Sequence, residues 1–139
     1  DHRDLHYPLR RQRQMCIRDR AYAAVLAVAA VDARGRPYGR NNRGAYITVT
    51  APGVDIWGAD ARGGEAFWTG TSFAAPFVTA TMARDVAQGR ARNVNDARAR
   101  IAASARDLGA PGRDPIFGHG LLQVGGCSGT GGAVLSSRD

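Results

Sequence analysis

With 139 residues, 44% of them hydrophobic and 22% charged, the chain has the size and polarity of one folded domain and is too short for two. No apolar run approaches the 18 or more residues of a membrane-spanning helix, since the longest, over 21–31, is broken at Asp32. The net charge of +7 rests on 19 basic residues, all of them arginine; six lie in the first twenty positions and the rest are scattered, so no basic stripe with interleaved aromatics points to nucleic acid.

Residues 1–20 differ from everything after them: they hold two of the three histidines and six arginines, with no glycine or alanine. We read this segment as a candidate non-native stretch in preference to a charged surface loop. Cys16 and Cys127 both lie in peripheral segments and do not make a disulfide framework. From Ala21 the chain is regular. The run AVLAVAAV at 24–31, closed by Asp32 and the turn-like 33–37, predicts a strand buried on both faces of a parallel sheet. A second strand is expected at 45–50, ended by Ala51-Pro52-Gly53, with a short run at 54–57 and an extended stretch at 65–69.

A helix is predicted over 72–88, stopped by Gly89. Its small and apolar residues cover most of the surface, so it is expected to be buried on nearly all sides. Pro76 fits only in the first turn, where its missing N–H has no partner to lose. A second, amphipathic helix is expected to be capped by Asn95, to place Ala97, Ile101, Ala105 and Leu108 inward, and to stop at Gly109. Its wet face carries Arg98, Arg100 and Arg106. FGHGLLQV at 117–124 reads as a turn and a closing segment, and 125–139 as a Gly/Ser-rich tail or linker.

One stretch carries chemistry. A serine hydroxyl is a poor nucleophile until a base takes its proton, and the carbonyl it attacks needs donors for its developing negative charge. Ser72, in Gly70-Thr71-Ser72-Phe73-Ala74-Ala75-Pro76, stands where a polar approach meets a helix, so its backbone N–H is an unpaired donor at the positive end of the helix dipole. An isolated Thr-Ser before a helix would more often be a cap.

The seven residues fit G-T-S-x-A-x-P, the serine motif of the subtilisin-like serine proteases (subtilases, peptidase S8), at every fixed position. From average residue usage such a match arises by chance in roughly one chain of this length in several thousand. The segment 21–32 resembles the family's strand leading into AVD, Ala51-Pro52-Gly53 its APG turn, and 117–124 its closing G-x-G segment. Order and spacing agree over 21–124, which is thereby read as the C-terminal part of a subtilase catalytic domain. The resemblance implies a partial α/β domain, three-layer α/β/α with a mostly parallel sheet. It also implies serine endopeptidase activity, with Ser72 as the nucleophile of an Asp-His-Ser triad.

In this family the triad follows the order Asp, His, Ser, so both partners belong upstream of Ser72. Asp1 and Asp4 lie in no D-S/T-G context, and neither His2 nor His6 lies in an H-G-T context. His119 follows the serine between two glycines and reads as a structural or surface residue. The family's oxyanion-hole asparagine should precede the strand at 24–31, yet the first asparagine of the chain is Asn41, on the wrong side of it. Losing that donor costs about 100- to 1,000-fold in turnover, the magnitude known for subtilisin itself. The isolated chain is therefore expected to be nearly inert. The competing reading is a non-catalytic subtilase-like domain that binds or scaffolds a peptide.

No cofactor is evident: calcium is implied by the resemblance alone, as no carboxylates here have its ligand spacing. Expected partners are a polypeptide substrate and the remainder of the same catalytic domain, with no nucleic acid and no membrane span. The resemblance also implies secretion or a place in the cell envelope.

Overall fold

Short β-branched and alanine-rich runs that alternate with glycine turns build a small parallel sheet, and two helices cover one face of it. The computed structural model describes residues 25–124; the expectations for 1–20 and for the tail 125–139 fall outside those residues. Strand β1 is Ala27–Val31 and strand β2 is Ile47–Pro52. They pair in parallel, Ala30 opposite Ala51 and Val31 opposite Pro52, with a bulge between Ala27 and Val28. Both strands are buried nearly throughout, as continuous apolar runs in a parallel sheet require.

The outer edge of β1 is closed by its own connection. Asn41 mimics a strand there: its side-chain oxygen accepts from the Ala30 N–H at 3.0 Å, and its amide donates to the Ala30 carbonyl at 2.8 Å. On the far side of β2 the closing segment runs parallel to it. The Thr50 N–H donates to the Gly120 carbonyl and the Leu122 N–H to the Thr50 carbonyl, at 2.9 and 2.8 Å. Leu121 in turn exchanges two backbone bonds with Arg106. Gly120 has a φ of +108°, and a Cβ there would lie 2.2 Å from the Arg106 carbonyl oxygen, so the second glycine of the closing segment is sterically required.

After β2 the chain makes an antiparallel hairpin, β3 at Ile56–Ala59 and β4 at Glu65–Trp68. Helix α1, Thr71–Ala87, crosses β1 and β2, and helix α2, Val94–Ser104, packs on α1 and β2. Ala74, Val78 and Ile101 of the helices meet Ala30, Val49, Ala51 and Leu122 in the principal core. The described residues thus supply the sheet and one helical layer of an α/β domain.

Four helix expectations need correction. Helix α1 is buried along a single stripe, Ala74, Val78, Thr81 and Asp85, while Phe77 and Val86 stay 39% and 49% exposed. Its many alanines are strong helix formers that need no burial, so apolar coverage overstated how much of the surface is enclosed. Pro76 is the sixth helical residue, beyond the first turn, and the helical bond it cannot make is the one to the Ser72 carbonyl.

Helix α2 is capped by Asn93 in place of Asn95: the Asn93 side chain accepts from the Asp96 N–H at 2.9 Å, and Asp96 reaches back to the Arg92 N–H at 3.3 Å. The same helix ends at Ser104, well before Gly109, because Arg106 is drawn into pairing with Leu121. Leu108 therefore lies outside it. The end of α1 agrees with expectation: the Arg90 N–H bonds the Asp85 carbonyl and the Gly89 N–H that of Val86, a Schellman closure with Gly89 just past the cap.

Candidate active site

The entrance of α1 is fixed by the turn that ends β2. The Gly53 N–H continues the parallel ladder by donating to the Val31 carbonyl at 3.0 Å, and the Gly53 carbonyl accepts from the Gly70 N–H at 2.7 Å. A Cβ on Gly53 would stand 2.8 Å from the Ala30 Cβ, 2.8 Å from the Gly70 carbonyl oxygen and 2.9 Å from the Ala74 Cβ. Only a residue without a side chain lets the sheet, the turn and the helix meet there. Ala74, wholly buried, keeps that contact close from the helix side.

Between Gly53 and Gly70 the hairpin makes its excursion and returns. Thr69 closes its base, accepting from the Asp55 N–H at 3.0 Å and donating to the Asp55 carboxylate at 3.4 Å. Asp55 has φ +54°, a left-handed conformation that aspartate tolerates better than most side chains. Trp68 stacks on Phe73 with ring centroids 5.8 Å apart, which ties β4 to the first turn of α1.

The helix begins with Gly70 as N-cap, so no side chain caps it, and Thr71 and Ser72 are its first two helical residues. The capping role is thus excluded for both hydroxyls. The Phe73 N–H donates to the Gly70 carbonyl at 3.0 Å, whereas the Ser72 N–H meets no backbone acceptor among the described residues. Ser72 is exposed, and its hydroxyl has no partner among the described residues. It borders a depression of about 200 Å³ whose walls are Val25 to Val28, Thr71 and Ala75. A hydroxyl held this way can give its proton to a base, and the adjacent free N–H at the positive helix end can receive an oxyanion.

The other sequence candidates are placed elsewhere or outside the described residues. His2, His6, Asp1 and Asp4 lie outside them. Half-buried His119 stands on the closing segment, its N–H donating to the Thr48 carbonyl at 2.9 Å. Burial, and secondarily the Arg113 guanidinium, lowers its pKa. The Asn41 carboxamide is engaged with Ala30 on both its oxygen and its nitrogen. Asp32, the aspartate of AVD, is a turn device: it accepts from the Arg34 and Arg36 N–H groups at 2.9 Å each and pairs with the Arg36 Nε at 2.6 Å. The Arg36 N–H leads in holding its carboxyl below the usual range. Among the described residues no three of His, Cys, Asp or Glu gather as a metal site.

Sequence reasoning passed over Asp85, a buried carboxylate near the C-terminal end of α1 with Arg84, Arg90 and Arg100 around it. Its partners come from the helix, the following loop and α2, and local sequence held no signal for that convergence.

A subtilase family model matches residues 12–120. The chain is 33% identical over 104 residues to a thermostable alkaline protease of Halalkalibacterium halodurans, an alignment covering 75% of this chain and 28% of that protein. It is also 33% identical over 107 residues to the minor extracellular protease Epr of Bacillus subtilis, covering 74% and 16% of the two. Among solved structures, fervidolysin from Fervidobacterium pennivorans, a keratinolytic enzyme related to subtilisin, superposes with a TM-score of 0.65 at 28% identity, over 76% of this chain and 19% of that one. The chain thus spans less than a third of the length of each of these relatives.

Proposed function

The chain belongs to the subtilase family, and from that membership we propose that it carries the nucleophile portion of a serine endopeptidase, with Ser72 attacking the scissile peptide carbonyl. The observation that carries the proposal is the state of Ser72: exposed, second in α1, its hydroxyl without a partner among the described residues, beside a depression that borders the same helix start. In the reaction a base takes the Ser72 proton as Oγ bonds to the carbonyl carbon. The resulting oxyanion lies at the Ser72 N–H; as the tetrahedral species collapses, the base returns that proton to the leaving nitrogen, the amine departs, and an acyl-enzyme remains for water to hydrolyse.

The family order places the aspartate, the histidine and an oxyanion asparagine upstream in sequence, where the rest of the same catalytic domain supplies them. On this reading the present chain alone turns over peptides at a negligible rate. His119 is no substitute base: its segment is bound to β2, and the family's histidine precedes the serine. The substrate class is polypeptide, and the extracellular relative supports export to the cell exterior or envelope.

The test joins the chain to its native upstream sequence and compares it with Ser72→Ala, using fluorogenic peptides and a serine-directed fluorophosphonate. We expect cleavage and labelling that vanish in the variant, while the chain without that upstream sequence does neither. Should the joined protein neither cleave nor label at Ser72, the peptide-binding reading replaces the protease.

A further inference from the structure

Far along α1 from Ser72, three arginines surround one buried carboxylate. Asp85, 5% exposed, lies 3.5 Å from Arg84 Nη2, 3.3 Å from Arg90 Nε and 3.4 Å from Arg100 Nε. Charge-assisted N–H···O contacts ordinarily close to about 2.7–2.9 Å, so the carboxylate draws none of the three in fully. The Nε atoms of Arg84 and Arg90 are buried with no hydrogen-bond partner, the Arg90 pair with Asp85 lacking hydrogen-bond alignment. The cluster therefore holds three positive charges against one negative and has guanidinium donors to spare.

These groups line a cavity of about 70 Å³ together with Thr81, Ser104 and Gln123, whose amide nitrogen already donates to the Leu121 and Leu122 carbonyls. The two hydroxyl protons are likewise donated, Thr81 to the Phe77 carbonyl and Ser104 to the Ile101 carbonyl, so the free donors are guanidinium groups alone. About 10–15 Å³ suffices for one water on the same measure, so the cavity admits a five-atom ion. The C-terminal end of α1 opposes an anion with roughly half a charge, well below the excess of two.

We propose that this cavity is a binding site for a small tetrahedral oxyanion, phosphate or sulfate, held by Arg84, Arg90 and Arg100. The dianion matches the excess charge, and the planar guanidinium fork matches its oxygens. Because the arginines come from α1, the loop after it and α2, the ion cross-links the helix that carries Ser72 to its neighbour.

The test follows arginine Nε–Hε signals of the full chain by NMR while sodium phosphate or sodium sulfate is added at constant ionic strength, with chloride and acetate as separate arms. Saturable shifts of the three arginines with phosphate or sulfate, absent with chloride and weaker with acetate, are expected. Arg100→Gln, on the most exposed of the three, should weaken binding about tenfold, as loss of one charge-assisted contact does. Asp85→Asn should tighten it, whereas a purely structural ion pair would give no such gain. Shifts that fail to saturate, that chloride reproduces, or that survive Arg100→Gln unchanged would overturn the assignment, leaving an ion-pair cluster only.

Discussion

At the scale of single residues, titration separates His119 from the carboxylates. Burial first, and Arg113 second, lowers the folded pKa of His119 below its ordinary 6.5. The unfolded chain then binds a proton before the folded one does, so stability is full above about 6.5 and declines as pH falls towards the lowered folded value. Asp32 and Asp96 act in the same sense, in a lower window. Hydrogen bonds, led by the Arg36 N–H for Asp32 and the Arg92 side chain for Asp96, lower their pKa values from 3.8. Their contribution is present above 3.8 and lost as pH falls through the folded values. We therefore expect urea midpoints to fall as pH drops below about 6.5, and His119→Gln to flatten that segment of the profile without altering the acid limb below 3.8.

Among the elements, α2 owes its start to one side chain. Asn93→Ala removes the acceptor of the Asp96 N–H and should destabilise the chain by about 0.5–2 kcal/mol, whereas Asn95→Ala should stay within about 0.5 kcal/mol, both read from urea denaturation. Either asparagine suits a cap in sequence; only packing of Ala97 and Ile101 into the core decides which turn comes first. The strands expected at 24–31 and 45–50, found at 27–31 and 47–52, and the start of the serine helix were legible because continuous apolar runs and the G-T-S motif are local signals, although β2 runs on through Ala51 and Pro52. Pairing of 56–59 with 65–68 was not, since each run is four residues long and the partner is set by tertiary contact. The stop at Ser104 and the exposure of α1 were missed for a related reason: both depend on what lies alongside the helix. Of the candidate site, Ser72 was singled out by its heptapeptide. The roles of Gly53 as a contact point and of Asn41 as an edge mimic became visible only in three dimensions.

For the molecule as a whole, cohesion is concentrated in one ladder. β2 is bonded on both sides, to β1 and to the closing segment, and Thr50 also donates its hydroxyl to the Phe117 carbonyl at 3.1 Å. The hairpin instead shows one face to water, with Trp57 and Phe67, 55% and 65% exposed, paired edge-on at 4.9 Å. Amide hydrogen exchange should accordingly find Thr50 and Leu122 among the slowest groups, with the amides at 57–59 and 65–67 faster by about an order of magnitude or more. One further property follows from the bond between Gly53 and Gly70. Because these residues clamp the two feet of the hairpin, the chain between them is a closed loop whose span does not set where Ser72 stands. Doubling such a loop adds only about 0.6 kcal/mol of closure entropy. The excursion is thus a modular appendage, free to lengthen, shorten or change its aromatic face over evolutionary time while the serine keeps its address.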